Sequence, residues 1–386
     1  MTIRSSWLST PSGLPRARAL DVPFVGKPGQ NNAITDVPGV EVGYRTMIRD
    51  DGEHAVRTGV TAIHPRGRAR AGEPVFAGVH SLNGNGEMTG FVWVEECGRT
   101  ELPITITNTH AVGLCRDATI KWIRARRPSH APEWGLPICA ETFDGTLNDV
   151  NGFHVTDDDV FAALDDARSG PLDEGSVGGG TGMVCYEWKG GSGTASRVVA
   201  VGEGEGTVGA FVQANFGRRE LCTIAGVPIG RLHPVSSSTA HDDGARGEAG
   251  SIIAVIATDI PLLPHQLKRL AQRCGLGVAK SGGYAAHGSG DIFVAFSTGN
   301  AAFLADKAPA GSAARALEAV PDDALSPVLH AVAQAVDEAI MNALSANADM
   351  RGRGGVVVPA MPKDAVRASM ARWREMVEAQ GPFSRM

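Results

Sequence analysis

Nowhere does this chain pair its cysteines, sustain a long apolar run or concentrate positive charge, and each shortage removes a class of protein. The six cysteines (Cys97, Cys115, Cys139, Cys185, Cys222 and Cys274) form no CxxC pair and mostly sit in apolar runs. They read as buried free thiols rather than a disulfide frame or a zinc site. The eleven histidines are scattered, with no HExxH or HxH spacing, so no metal is expected. A GxSxG elbow is missing, which argues against an α/β-hydrolase. The glycine-rich stretches lack the following lysine of a phosphate loop, and no organic cofactor is expected. No segment reaches the roughly 18 apolar residues of a membrane span. The first twenty residues lack the apolar core of a signal peptide, so a cytoplasmic protein is expected. Lysine and arginine total 36 against 42 acids, a net charge of −6, without a basic stripe. Nucleic acid and membrane are therefore not expected as partners.

What is present is a globular composition, 43% hydrophobic and 20% charged, in 386 residues that include 49 glycines. That glycine content predicts many tight turns or close backbone approaches. Residues 1–30 read as an arm rich in Pro, Gly and Ser, with order beginning near NAITDVPGVEVGY. Short apolar runs bounded by Gly, Pro or Asn predict strands at 59–64, 75–82, 91–94, 104–107 and 136–140. Glycine-punctuated strands follow from 176 to 229, and further strands begin at Ser251 and Asp291. Helices are predicted at 111–127, 157–168 with Thr156 as cap, 264–274, 327–346 with Ser326 as cap, and 364–380. Arg124, Arg126 and Arg127 suit the C-terminal end of the first helix. In the helix from 327, Val328, Val332, Val336, Ile340 and Leu344 share one face. The polar loop 235–250 reads as a flexible segment.

Several residues could carry chemistry. In GEAGSIIAVIATD a serine opens an apolar strand directly after a glycine. A turn leading into a strand explains this. So does self-cleavage, in which the Ser251 hydroxyl attacks the Gly250 carbonyl and water opens the resulting ester. The new N-terminal serine would hold a hydroxyl and, with a reference pKa of about 7.7–8.0, an α-amine base on one residue. In HGSGDIFVAF, Ser289 and Asp291 share one strand face, as a hydroxyl–carboxylate pair or as a turn with a solvated acid. Asn215, at the end of FVQANFG, is a possible oxyanion donor or a turn residue. HSLNGNGEMTG and ITNTHAVG follow strands, and turn formation alone would explain them. Glu141, Asp144 and Asp149 cluster in AETFDGTLNDVNGFH, where one could anchor a cationic substrate group.

Taken in order, NAITDVPGV, LNGNGEMTG, ETFDGTLNDVNGFHV, VGAFVQANFG, GSIIAVIATDIPLLPHQLKRLA and SGDIFVAFSTGN resemble the self-processing serine aminopeptidases. That family is typified by L-aminopeptidase D-amidase/D-esterase and includes the β-peptidyl aminopeptidases. The resemblance implies an α+β fold, an αββα four-layer sandwich like the N-terminal nucleophile hydrolases but differently connected. It implies one catalytic domain over 31–386, cut between Gly250 and Ser251 into a long and a short chain that stay together. Tetramers of the cleaved pair are implied, as are small peptides, amino-acid amides or esters as substrates. By position, Ser251 matches the nucleophile, Asn215 the oxyanion donor, Ser289 and Asp291 the proton-handling pair, and Glu141 the carboxylate that binds the substrate's amine. Phe143 stands where the family pattern has a tyrosine, which implies one oxyanion donor fewer. Asp291 stands where the β-peptide specialists have glutamate, closer to the L-aminopeptidase type. Two alternatives stay open: an amine acyltransferase of the ornithine acetyltransferase type, and a non-catalytic relative that keeps the fold.

Overall fold

The structure is a computed structural model that describes residues 3–51, 54–234, 250–305, 314 and 316–379. In chain order the strands are β1 (Glu41–Asp51), β2 (His54–His64), β3 (Val75–Gly84), β4 (Arg99–Thr100), β5 (Ile104–Asn108), β6 (Cys139–Thr142), β7 (Val184–Cys185), β8 (Trp188–Lys189), β9 (Gly191–Val201), β10 (Gly204–Asn215), β11 (Gly250–Thr258) and β12 (Ser289–Ser297), followed by a two-residue pair at Met350–Arg351 and Val357–Val358. One sheet runs β1-β2-β5-β6 and a larger one β4-β3-β12-β11-β10-β9. Four helices cover them: α1 (Val112–Arg126), α2 (Asp157–Asp165), α3 (Pro264–Lys280) and α4 (Ser326–Ser345).

The order of layers follows from which faces are apolar. Along β11, Ile252, Ala254 and Ile256 pack with Leu267 and Leu270 of α3 and Val332 and Val336 of α4. The alternate residues Ile253, Val255 and Ala257 pack with Ile104 and Ile106 of β5 and Ala140 of β6, between the sheets. A third apolar layer joins Val56, Val60 and Ala62 of β2 to Cys115 and Trp122 of α1 and Val160 and Leu164 of α2. Successive strand side chains point to opposite faces, so a strand apolar on both faces must lie between two layers. The result is an αββα sandwich.

Local signals mostly hold. Thr156 and Asp159 form a reciprocal capping box at the start of α2. All five apolar positions named for α4 are fully buried. Ser326, however, is the first helical residue, and Leu325 occupies the cap position. Phe91–Cys97 is a helix rather than a strand, flanked by Gly90 (φ 72°) and Gly98 (φ 68°), and only Val94 is buried along it. Residues 221–229 hold the last residue of a 3₁₀ turn (Arg219–Leu221), an isolated bridge at Ile224 and Val227, and the start of a short helix at Ile229 instead of a strand. Gly178–Gly182 likewise forms a 3₁₀ turn. Order also starts well before residue 31. Trp7, Ala17 and Leu20 are buried, and buried Arg16 pairs with Glu174 at 2.6 Å. The expected flexible loop at 235–250 falls, apart from Gly250, outside the described residues. The cysteines that burial was expected to claim are buried, except for half-buried Cys97.

Candidate active site

β11 brings the site together. It pairs antiparallel with β10, placing Ser251 opposite Asn215, and parallel with β12, placing Gly250 beside Ser289 and Ser251 beside Gly290. Ser251 shares the face of Ile253 and Val255, which looks into the space between the sheets. Its Oγ donates to the Gly250 carbonyl oxygen at 2.6 Å, so the hydroxyl is already in contact with the preceding peptide group. Glycine at 250 is a matter of room. A Cβ there would lie 2.8 Å from Phe216 Cα and 3.0 Å from the Asn215 carbonyl oxygen.

Asn215 is held at both ends of its amide. Oδ1 accepts from the Val184 N–H at 2.8 Å, and Nδ2 donates to the Phe143 carbonyl at 3.0 Å. These bonds assign the amide's orientation and use one of its two N–H donors. Phe143 therefore contributes its main chain, while its ring is exposed.

Glu141, at the end of β6, is buried, with 3% of its surface exposed. Oε1 accepts from the Glu87 N–H at 2.9 Å, and Oε2 accepts from the Thr109 hydroxyl. Burial raises its carboxyl pKa, opposed by those two donors. Gly86 links this carboxylate to β12, the strand beside that of Ser251, since a Cβ there would lie 3.3 Å from Glu141 Oε1 and 3.2 Å from Gly290 Cα. The loops after β3 and β5, explicable from sequence as turns, thus converge on Glu141. Asn108 caps the second of them, accepting from the His110 and Ala111 N–H groups at 3.0 Å each.

Ser289 and Asp291 do pair, with Ser289 Oγ donating to Asp291 Oδ1 at 2.8 Å. Alternation along β12 puts them on the face of Phe293, toward α3 and α4, away from the Ser251 hydroxyl. They flank the main chain of Gly250 to Ile252 instead. Burial pushes the Asp291 carboxyl up to about 6, against the Ser289 hydroxyl and the Ile252 N–H. Its Oδ2 is buried and, among the described residues, has no hydrogen-bond partner.

The other two acids of the cluster belong elsewhere. Asp144 is fully buried, with Asn148 donating to it at 3.1 Å, and burial pushes it up to about 7. Asp149 bridges His54 at 2.7 Å and His154 at 3.1 Å near the surface. Sequence reasoning missed the supports: Glu87, Thr109, Val184 and, behind Val184, Lys189. The only local signal for the last is a lone lysine in the otherwise uncharged stretch 188–196. Among the described residues, no cluster of three or more His, Cys, Asp or Glu could hold a metal ion, and no helix is long and apolar enough to cross a membrane.

Residues 32–358 match peptidase family S58. A β-peptidyl aminopeptidase BapA from Sphingosinicella microcystinivorans is 46% identical over 380 residues, covering 95% of this chain and 94% of that protein. Among solved structures, the L-aminopeptidase D-Ala-esterase/amidase of Ochrobactrum anthropi superposes with a TM-score of 0.86 at 45% identity, covering 93% of this chain and 99% of that one. It is described as a prototype of the serine aminopeptidases and a variant of the Ntn hydrolase fold. A Burkholderia sp. β-aminopeptidase gives a TM-score of 0.83 at 45% identity, with 93% and 98% coverage. The fold and these matches agree: the chain belongs to peptidase family S58 and is a serine aminopeptidase.

Proposed function

We propose that the chain cuts itself between Gly250 and Ser251 and then releases N-terminal residues from short peptides, amides and esters through an acyl-enzyme on Ser251. The observation that carries this reading is the 2.6 Å contact of Ser251 Oγ with the Gly250 carbonyl, on the face that also holds Asn215. In the first step Oγ attacks the Gly250 carbonyl carbon, the Ser251 nitrogen leaves as an amine, and water hydrolyses the ester. Gly250 becomes a carboxylate terminus and Ser251 an N-terminal residue.

The freed α-amine then serves as the base that takes the Ser251 hydroxyl proton. Ser289 and Asp291 flank the main chain at this point, so their role is to hold that amine rather than the hydroxyl. The substrate's ammonium docks on Glu141, whose oxygens each keep a lone pair free after accepting from Glu87 and Thr109. Oγ adds to the substrate carbonyl, and the second N–H of Asn215 donates to the developing oxyanion. The α-ammonium returns its proton to the leaving amine, and water, activated by the same amine, releases the product. No step calls for a metal or an organic cofactor.

The working unit under this reading is one catalytic domain over 31–386 with residues 3–30 packed into its core, assembled as a homo-oligomer of cleaved pairs, tetrameric by family resemblance and acting in the cytoplasm. Sedimentation of the processed protein and cell fractionation test those two statements. The chemistry is tested by comparing an amino-acid p-nitroanilide with its N-acetylated form. The free-amine substrate should be hydrolysed with release of the first residue, and acetylation should abolish turnover. Equal rates on both would remove Glu141 from its role. No turnover on any amide or ester would overturn the reading.

A further inference from the structure

Lys189 is fully buried, and no carboxylate pairs with it among the described residues. Its ammonium donates to three main-chain carbonyls, Gly190 at 2.7 Å, Met183 at 2.9 Å and Gly180 at 3.4 Å. Burial without a paired carboxylate pushes the lysine's pKa down to about 7, and the three carbonyl dipoles are what favour its charged form. The Met183 carbonyl and the Val184 N–H belong to one peptide group, and that N–H is the donor to Asn215 Oδ1 at 2.8 Å. The hydrogen bonds therefore run in one line: Lys189 Nζ–H to Met183 C=O, Val184 N–H to Asn215 Oδ1, and Asn215 Nδ2–H onward. Each bond in such a chain polarises the next, and at its head stands an amine that is charged below about pH 7 and remains an N–H donor above it.

The hairpin that carries the lysine is built to stay in place. Val184 pairs with Lys189 and Cys185 with Trp188, leaving Tyr186 (φ 52°) and Glu187 (φ 59°) as a two-residue turn. Positive φ at both positions favours Asn-Gly rather than these side chains. Arg219 compensates, donating to the Tyr186 carbonyl at 2.8 Å and to that of Glu187, with its guanidinium 3.9 Å over the Trp188 ring. The Tyr186 N–H donates to the Phe216 carbonyl at 2.8 Å, next to Asn215. Strained backbone held by its surroundings is a recurrent property of functional sites.

We propose that Lys189 is a positioning residue for catalysis: through the peptide group joining Met183 to Val184 it orients and polarises the Asn215 amide toward the oxyanion formed at Ser251. This rests on the reading of Asn215 as oxyanion donor. Lys189 does not touch substrate, so its effect falls on the transition state and not on ground-state binding.

The test is a double-mutant cycle on the processed protein: wild type, Lys189→Met, Asn215→Ala and the double variant, with kcat and KM measured on an amino-acid p-nitroanilide and rates normalised to cleaved chain by intact mass. Lys189→Met should lower kcat by about tenfold or more, as loss of part of one oxyanion donor would, with KM little changed. In the Asn215→Ala background the same substitution should cost nothing further. An equal loss in both backgrounds, or a loss confined to KM, overturns the proposal while leaving Asn215 in its role. An unchanged kcat for Asn215→Ala overturns the reading of Asn215 and the proposal with it. Where Lys189→Met gives no folded, cleaved protein, Lys189→Gln replaces it, keeping an uncharged donor to the carbonyls, with kcat expected between wild type and Asn215→Ala. Failure of both variants to fold would assign Lys189 to hairpin stability and overturn the proposal.

Discussion

Substituting Glu141 by glutamine removes one charge and little else. The side chains are isosteric, Oε1 can still accept from the Glu87 N–H, and the Thr109 hydroxyl can turn to accept from the new amide. What is lost is a charge-assisted bond to the substrate's ammonium, which typically contributes about 1.5–3 kcal/mol. That corresponds to roughly 10- to 150-fold in KM, with a smaller effect on kcat. Stability should move the other way. Burial raises the Glu141 carboxyl pKa, so the folded state disfavours the charged form more than the unfolded state does. The group's favourable contribution is present below its unfolded pKa of about 4.3 and is lost as pH rises through the folded value. At pH 8 the glutamine variant should therefore melt at the same temperature as wild type or higher, and any gain should vanish near pH 4. Steady-state kinetics on free and N-acetylated p-nitroanilides, beside melting curves at both pH values, give the readout. An unchanged KM with a lowered melting temperature at pH 8 would refute the reasoning, because Glu141 would then be structural and its charge compensated within the fold.

Three further outcomes follow from the same geometry. Asn215→Ala should reduce kcat by about 10²- to 10³-fold, the usual cost of one oxyanion donor, measured per cleaved chain. For Asp291, kcat of the wild type should fall as pH drops through about 6 and the carboxylate takes a proton. Asp291→Asn should flatten that limb of the profile at a lower plateau. The raised carboxyl pKa also means stability lost as pH rises from the unfolded value to about 6, so urea unfolding should find the asparagine variant no less stable than wild type at pH 8. Gly250→Ala places a Cβ 2.8 Å from Phe216 Cα, so the strand must shift against backbone, and precursor should accumulate in a mass-spectrometric time course.

What the sequence reveals and conceals divides along the range of the interactions. Strand β11, helix α4 and the Thr156 cap are legible because their signals sit within a few residues: an unbroken apolar run, an apolar stripe every fourth residue, a Thr with an acid three positions on. The helix at Phe91–Cys97 defeats this reading, since a four-residue apolar run does not distinguish helix from strand, and the flanking left-handed glycines decide it. The packing of residues 3–30 depends on Arg16 meeting Glu174, a partner 158 residues away. In the site, Ser251, Asn215, Glu141, Ser289 and Asp291 stand out by type and by resemblance. That Ser289 and Asp291 face away from the Ser251 hydroxyl emerges only with the strand register. Lys189 is silent in sequence because its partners are carbonyls, which every residue has.

The most direct test of self-processing at Ser251 is the intact mass of freshly purified protein beside a Ser251→Ala variant. The expected result is two fragments from the wild type, one ending at Gly250 and one starting at Ser251, with the variant remaining whole. A wild type that stays a single chain, or a variant that is cut at the same bond, would contradict it, and Ser251 would then be no more than the first polar residue of a buried strand.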